Sequence, residues 1–499
     1  MANFADLLGR ETSWTYTANG RKCLSSSGEG LVDLFATIGA LRNATDARRY
    51  ELFDRACAED KELAAKILFY GRDIREGLGE RDTFRTLLAY AADRYPEIVR
   101  PNIALIGFYG RFDDLYFLIG TKCENDMWRV MKEQFNKDRA SMLAGKPVSL
   151  LAKWIKTPDA SSPTTRKLGI LTSQKLGYKN VRSFKVPLKA LRKYLNIVEI
   201  AISANEFSTI AYDKVPSNAM TKYRILFSRK DGDRFVEYLD DVKSGKKEIK
   251  ANTLFPYDIT QKYLNAAGYG LWRSSSMMVD EVLEAQWKAL PNYIEDGTNV
   301  LIMADVSGSM TSNNNLPMAT SIGLAMYFAE RAAGPFHNKF MTFSTNPKLV
   351  TVTGATVCDR VRNMVQADWA GSTDLDAAFR VVLETAVNNR VAARDLPKAL
   401  VIISDMQING CVRTSGTFYD DWRRKFATYG YDIPNVIFWN VNSQSNTFHA
   451  DANRKGVQLL SGHSATTFKT LLANLDKTPY EAMLATILSD RYAQISVER

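Results

Sequence analysis

The spacing of apolar residues changes near residue 299, and this change limits the folds that the chain can adopt. Before it, apolar residues recur at helical spacing, as in Leu31, Leu34, Phe35 and Ile38. After it, short apolar runs such as Val300–Ala304 alternate with helix-like segments. Such alternation predicts a mainly parallel sheet covered by helices. The fold class predicted for the 499 residues is therefore α plus α/β.

The helical part lacks a clean sequence repeat, but its short amphipathic segments must stack on one another to bury their apolar faces. We therefore predict an irregular helical-repeat module over residues 1–270, a junction over 271–297 and a doubly wound α/β domain over 298–499. Strand-like runs are scarce before Thr298.

Two of the predicted strands end on aspartate, at Asp305 and at Asp405. Ser307 and Ser309 follow the first aspartate, and Thr373 lies on a glycine-containing loop before a predicted helix. Ligands of open α/β sheets gather outside the carboxyl ends of the strands. Carboxylates and hydroxyls are the hard oxygen ligands that Mg²⁺ prefers, so the pattern predicts a site for Mg²⁺ or a similar divalent ion. The alternative is that the serines cap a helix and Asp405 closes a turn.

Positive charge is concentrated between residues 139 and 193. The whole chain carries a formal net charge of +10, but this segment alone has thirteen lysines and arginines and a single acid, Asp159. Trp154, Tyr178, Phe184 and Tyr194 lie among or beside these charges. Basic residues beside flat rings suit a phosphate backbone with unstacked bases, whereas the alternative is a solvated helix face. The candidate RNA-binding residues are Lys153, Lys156, Arg166, Lys167, Lys175, Lys179, Arg182, Lys185, Lys189, Arg192 and Lys193.

Two families share features with this chain. The set Asp305, Ser307, Ser309, Thr373 and Asp405 resembles, in residue type and chain order, the metal-ion-dependent adhesion site of von Willebrand factor A domains. The helical part is similar to TROVE modules, the helical-repeat part of the Ro autoantigen proteins. Arg72–Arg81 is the segment that carries this second resemblance. More closely, the chain resembles an uncharacterised TROVE-like family with the same two-part order over nearly its whole length, on the segments Leu151–Trp154, Val215–Met220 and Ser404–Gln407.

The resemblance implies a toroidal helical ring closed by a metal-bearing domain. Ro proteins bind structured small RNAs on an outer basic surface and pass single-stranded ends of misfolded RNA through the ring. We therefore expect an RNA-binding scaffold whose metal site captures an acidic residue of a protein partner. For Arg72, Arg75 and Arg81 two interpretations stay open: contact with RNA, or pairing with Asp73 and Glu80 in a turn between helices.

Motifs of common enzyme classes are absent from the sequence, including a phosphate loop, a nucleophile elbow and a His-Glu-x-x-His zinc motif. We therefore expect no enzymatic activity, and two other hypotheses remain: a metal-dependent protein adaptor without RNA, and a metal-dependent nuclease. No signal peptide or membrane-spanning run is evident, and the five cysteines are widely spaced. These features predict a cytoplasmic protein with no membrane partner.

Overall fold

The computed structural model of the chain describes residues 13–266, 277–294, 299–342, 346–366, 374–410 and 417–498. Helices dominate the described residues up to Lys288, and strands alternate with helices from Val300 onward. This order confirms the predicted fold class. No helix in the described ranges is both long and apolar enough to cross a membrane.

The α-helices before the main sheet are α1 Gly30–Phe35, α2 Asp46–Glu59, α3 Lys61–Arg72, α4 Asp82–Arg94, α5 Pro96–Val99, α6 Ile106–Tyr109, α7 Glu124–Leu143, α8 Leu151–Trp154, α9 Pro163–Lys175, α10 Val181–Tyr194, α11 Val198–Ala204, α12 Ser217–Lys230, α13 Gly232–Lys243, α14 Pro256–Ala266 and α15 Glu281–Lys288. Side chains cap several of them. Asp60 accepts a hydrogen bond from the Leu63 amide at the start of α3, at 2.8 Å. Asn180 and Ser183 form a reciprocal capping box at the start of α10.

The remaining helices lie between or after the strands of the main sheet: α16 Ser312–Arg331, α17 Val357–Gln366, α18 Leu375–Asn388, α19 Phe418–Thr428, α20 Thr467–Leu472 and α21 Pro479–Ile487. The strands are β1 Trp14–Tyr16, β2 Lys22–Leu24, β3 Val300–Ala304, β4 Lys339–Thr342, β5 Leu349–Thr351, β6 Ala399–Ser404, β7 Asn435–Asn440 and β8 Val457–Ser461. Strands β1 and β2 form a short antiparallel hairpin that the sequence pattern did not predict.

The main sheet has the strand order β5-β4-β3-β6-β7-β8. All of its pairings are parallel except that of β4 with β5. Strands β3 and β6 are buried along their whole length, which explains their continuous apolar sequences. From β3 the chain proceeds first to one edge of the sheet and then, after β6, to the other. The carboxyl ends of β3 and β6 therefore flank the point where the strand order reverses.

The apolar core is shared between the two parts of the chain. One continuous cluster of buried residues includes the helices from α1 to α10 as well as the strands and helices of the main sheet. A second, smaller cluster lies around α12 and α13 and contains Phe227 and Phe235. Residues 198–249 thus form a separately packed lobe, which Val282 on α15 also contacts.

The two ends of the chain cross over to the opposite part. Near the N-terminus, Arg21 is buried and pairs with Asp376 at 2.6 Å and Asp421 at 3.0 Å, both in the α/β part. Near the C-terminus, Arg491 pairs with Asp73 of the helical part at 2.7 Å. These crossed contacts fasten the helical part to the sheet at both ends.

Candidate functional site

Asp305 and Asp405 lie side by side at the carboxyl ends of β3 and β6. The two strands pair in parallel, and the Asp305 amide donates a hydrogen bond to the Ile403 carbonyl at 2.9 Å. Both aspartates are almost completely buried. The structure therefore brings together two carboxylates that are about a hundred residues apart, at the position where α/β sheets bind ligands.

Hydroxyl groups surround this carboxylate pair. Asp305 accepts hydrogen bonds from the Ser307 amide at 2.8 Å and from the Ser404 hydroxyl at 2.7 Å. The hydroxyls of Ser307 and Ser309 lie 3.0 Å apart. Four of the five predicted metal ligands are thus gathered, whereas Thr373 lies outside the described residues. Ser404, which orients Asp305, was not among the predicted residues, although its place directly before Asp405 is a usable signal.

The electrostatics of the pair favour a bound cation. Burial raises the pKa of Asp305, and the negative charge of Asp405 raises it further. Burial also raises the pKa of Asp405, with the Ser309 hydroxyl acting in the opposite direction. Neither aspartate pairs with a lysine or arginine in the described ranges, and the buried Oδ2 of Asp405 has no hydrogen-bond partner there. A divalent ion would reduce the repulsion between the two carboxylates and would contact the unpartnered Oδ2 of Asp405.

These residues fit a metal ion through two carboxylates and several hydroxyls. A richer set is not found: within the described residues, no three His, Cys, Asp or Glu side chains gather in a way that could hold a metal. Two carboxylates with hydroxyl and water ligands suit a hard cation such as Mg²⁺ rather than a metal that prefers imidazole or thiolate.

The N-terminal hairpin holds the loop that follows Asp405. The Ala18 amide donates to the side chain of Gln407 at 2.7 Å, and the Asn19 side chain donates to the Gln407 carbonyl at 2.5 Å. The Thr17 hydroxyl donates to the Ile408 carbonyl at 2.6 Å. The two parts of the chain therefore meet within two or three residues of Asp405.

A separate cavity of about 2050 Å³ lies within the helical part, lined by residues between Arg42 and Lys262. Thirteen lysines and arginines line it, against four acids, and the lining also contains the rings of Phe112, Trp154, Phe255 and Tyr257. The basic lining residues are Arg42, Arg72, Arg75, Arg81, Arg111, Lys153, Arg182, Lys185, Lys189, Arg192, Lys222, Arg224 and Lys262. Cations interleaved with aromatic rings are what a single nucleic-acid strand needs.

Helix α10 presents its basic face to this cavity. Arg182, Lys185 and Lys189 are exposed and line it, while Phe184 and Leu188 on the same helix are buried in the core. Lys185 pairs with an acid, Asp159, at 2.7 Å. Arg182 and Lys189 have no acidic partner within the described residues. Helical spacing thus separates the cationic face of α10 from its apolar face.

Five of the eleven predicted RNA-binding residues line the cavity, namely Lys153, Arg182, Lys185, Lys189 and Arg192. The lining does not include the other six, which are Lys156, Arg166, Lys167, Lys175, Lys179 and Lys193. Some of the six have acidic neighbours, such as Lys175, which lies 3.5 Å from Glu124. The basic segment therefore divides between the cavity and other surfaces.

The predicted turn containing Arg72, Arg75 and Arg81 also faces the cavity. Arg72 pairs with Asp114 at 2.8 Å, and Arg81 pairs with its neighbour Asp82 at 3.0 Å. Arg75 donates to a backbone carbonyl of α6 at 2.7 Å. The turn is thus held by contacts between helices, and its guanidinium groups are largely committed to protein partners.

The interpretation that the side chains of Arg72, Arg75 and Arg81 pair with Asp73 and Glu80 is wrong, although the Arg75 backbone amide donates to Asp73 at 3.0 Å. Asp73 accepts two hydrogen bonds from the Arg491 guanidinium, and Glu80 accepts two from the Arg42 guanidinium. Both carboxylates are fully buried, and their side-chain partners are distant in sequence, so local spacing did not indicate these ion pairs.

Several cavity residues had no signal in the sequence. Arg42, Arg111, Lys222, Arg224 and Lys262 come from well-separated segments, each with an ordinary density of charge. The Arg111 guanidinium stacks 4.0 Å from the centre of the Trp154 ring, 43 residues later in the chain. Only the tertiary fold brings these residues to one surface.

Comparisons with known proteins give matches over most of the chain. A domain of unknown function, DUF2828, matches residues 17–109 and 151–299, and a second, DUF7788, matches residues 299–491. An uncharacterised protein, L728, of Acanthamoeba polyphaga mimivirus is 28% identical over 94% of this chain and 86% of its own length. The crystal structure of the Deinococcus radiodurans RO (RSR) protein is similar with a TM-score of 0.46 and 15% identity, over 93% of this chain and 99% of that chain.

Proposed function

We propose that this chain is an RNA-binding scaffold that holds a single-stranded part of a small non-coding or misfolded RNA in the cavity of its helical part. The observation that carries the proposal is the lining of the cavity, with thirteen cationic side chains against four acidic ones and four aromatic rings. Lysine and arginine neutralise phosphates, and rings stack on unpaired bases. The resemblance to TROVE modules supports RNA as the nucleic acid.

The location of the binding surface can be tested with two matched triple variants from the same basic segment. The first changes Arg182, Lys185 and Lys189, which line the cavity, to glutamate. The second makes the same change at Arg166, Lys167 and Lys179, which are exposed but do not line it. Both variants alter the net charge equally, so a general charge effect would weaken them equally.

We expect the cavity variant to lose RNA affinity by orders of magnitude and the control variant to lose only a few-fold, because contacts at phosphates release counterions. Fluorescence anisotropy with a labelled single-stranded RNA at two salt concentrations measures the affinity of the wild type and of both variants. Equal loss in both variants would indicate a general charge effect and contradict binding in the cavity, and unchanged affinity in both would reject RNA binding by this segment.

We further propose that Asp305, Ser307, Ser309 and Asp405, with Thr373, hold Mg²⁺ or another divalent ion. The buried, unpartnered Oδ2 of Asp405 and the raised pKa values of both aspartates support this assignment. The bound ion would offer an open coordination position to an acidic side chain of a protein partner. These residues would hold the ion, with the two buried carboxylates as its charged ligands.

Calorimetric titration with Mg²⁺ tests the metal assignment. Wild-type protein should bind the ion, whereas Asp405→Asn should not. Added Mg²⁺ should raise the midpoint temperature of thermal unfolding of the wild type but not that of Asp405→Asn. Asp395→Asn, at an exposed position in the same part of the chain, is the control. Equal Mg²⁺ affinity in wild type and Asp405→Asn would sink the assignment.

The alternatives make different predictions for RNA. A protein adaptor would bind Mg²⁺ without binding RNA, and a nuclease would shorten RNA in a metal-dependent way. Incubation of labelled RNA bearing a single-stranded tail, with and without Mg²⁺, separates them on a gel. We expect intact RNA and retained binding in Asp305→Ala, since the cavity and the metal residues lie in different parts of the chain. Metal-dependent shortening that disappears in Asp305→Ala would favour the nuclease.

A further inference from the structure

Four acidic residues line the cavity, and three of them already have polar partners. Asp82 pairs with Arg81 at 3.0 Å, and Asp159 pairs with Lys185 at 2.7 Å. Asp258 accepts a hydrogen bond from the Phe255 amide at 2.8 Å.

Glu199 differs from the other three acids. It forms no ion pair or side-chain hydrogen bond with any described residue, and its Oε2 atom is shielded from solvent without a partner. A carboxylate oxygen left in this state is costly unless a ligand supplies a donor.

Apolar residues of the same cavity lining suit the flat face of a base. Glu199 lies in the first turn of α11 between two apolar residues that also line the cavity, Ile197 and Ile200. Val186, which is 67% exposed, adds a further apolar side chain to the lining from α10. Because an unpaired carboxylate repels phosphates, Glu199 opposes the general attraction of the cavity for a polyanion. Its chemistry instead matches the N–H groups at the edge of a base.

We propose that Glu199 is a specificity-determining residue that recognises guanine in the single strand held by the cavity. Guanine has two adjacent donors, its ring N1–H and its exocyclic amino group, which match the two oxygens of a carboxylate. Adenine and cytosine offer the amino group without the adjacent ring donor, and uracil offers one ring N–H between two carbonyl oxygens. This inference rests on the proposed function, because it assigns a role within the same cavity.

A purely structural role for Glu199 is distinguishable. A carboxylate in the first turn of a helix interacts favourably with the helix dipole, so Glu199 would then stabilise α11. In that case, replacement of Glu199 would lower the midpoint of thermal unfolding and leave base preference unchanged. Base preference is therefore the informative measurement, and thermal unfolding of each variant checks that the fold is retained.

The test uses labelled single strands of about ten nucleotides, a length within the range of such sites. One strand contains uridine alone, one has a single central guanosine, and one has inosine there, which lacks the exocyclic amino group. Anisotropy titrations compare the wild type with Glu199→Gln and Glu199→Ala. Asp258→Asn, another acid of the same cavity, is the matched control.

We expect the wild type and Asp258→Asn to bind the guanosine strand roughly tenfold more tightly than the uridine strand, with inosine between them. Glu199→Ala should abolish this preference, and Glu199→Gln should retain no more than the inosine level. Equal affinity of the wild type for all three strands would overturn the inference while leaving the proposed function intact. A uniform gain in affinity for all strands in Glu199→Ala, with the preference unchanged, would also overturn it. Failure of the wild type to bind any strand would reject both proposals.

Discussion

The two basic walls of the cavity differ in how their charges are compensated. Along one wall, three arginines pair with acids of the protein: Arg42 with Glu80, Arg72 with Asp114, and Arg111 with Asp113, whereas Arg75 donates to a backbone carbonyl. Along the α10 wall, Arg182 and Lys189 have no acidic partner within the described residues, and Arg192 donates to two backbone carbonyls at 2.8 Å each. Burial lowers the pKa of Arg192, which has lost part of its hydration to these carbonyls.

This difference indicates that the two walls perform separate tasks. Paired and buried guanidinium groups hold helices together, and their charge is already balanced by carboxylates. Unpaired, exposed cations keep their attraction for a polyanion, because no internal acid offsets them. A count of basic residues therefore overstates the charge that a ligand meets in this cavity.

The largest effect that separates the walls concerns stability. Asp114 is fully buried and accepts hydrogen bonds from Arg72 at 2.8 Å and Arg85 at 2.6 Å. Asp114→Ala would leave two arginines without their buried partner, and we expect the free energy of unfolding to fall by about 3–5 kcal/mol. Lys189→Ala, on the other wall, should change it by less than about 0.5 kcal/mol. Urea unfolding measures the free energy of unfolding of both variants. Similar losses of stability in the two variants would contradict the proposed difference between the walls.

An intermediate effect concerns the salt dependence of RNA binding. Lys189→Ala should lower affinity several-fold and reduce the slope of log affinity against log salt by about one, as loss of one phosphate contact does. The matched control replaces Arg81 and Asp82 together with alanine, which removes a pair and leaves the net charge unchanged. We expect the control to keep the wild-type slope. A reduced slope in the control would mean that paired arginines also contact phosphates.

The smallest effect concerns pH. Burial raises the pKa of Asp258, a cavity residue, to about 6, with the Phe255 amide and the charge of Arg42 acting against it. The carboxyl is therefore neutral below that pH and negative above it, so RNA affinity should fall slightly, by no more than a few-fold, between pH 5 and pH 7. The folded pKa lies above the usual value of 3.8, so this carboxyl also lowers stability as pH rises from about 3.8 to about 6, and by a constant amount above that.

Asp258→Asn isolates this contribution, because the amide is neutral at both pH values. The variant should bind RNA equally well at pH 5 and pH 7 in anisotropy titrations and lose the corresponding part of the pH dependence of unfolding. If the variant keeps the full wild-type pH dependence, another group on the cavity wall is responsible.

The aspartates at the carboxyl ends of β3 and β6 could be predicted from sequence because each of them follows a recognisable strand. Asp305 and Asp405 each terminate an apolar run, and parallel pairing necessarily brings such ends together. The three-residue strands β1 and β2 could not be predicted in the same way, since they are too short to display alternation. Their pairing depends on contacts with the α/β part, such as that between Leu24 and Phe448.

The cavity could be predicted only in part. Helical spacing and local charge identify the α10 wall, because Arg182, Lys185 and Lys189 share one helix face. Arg42 and Lys262, by contrast, meet at one surface only after more than two hundred intervening residues have folded. Nothing in their immediate sequence distinguishes such residues from ordinary surface cations.

The crossed chain ends have a consequence for biosynthesis. The ammonium group of Lys66, on α3, is buried and donates to the carbonyls of Tyr492 and Ile495, which are more than 400 residues later in the chain. Translation proceeds from the N-terminus, so a nascent helical part cannot make these contacts until residues 492–495 have left the ribosome. Its early helices therefore reach their final packing only after the α/β part has been synthesised. If the helical part were expressed alone, the Lys66 ammonium group would lack its carbonyl partners in Tyr492 and Ile495.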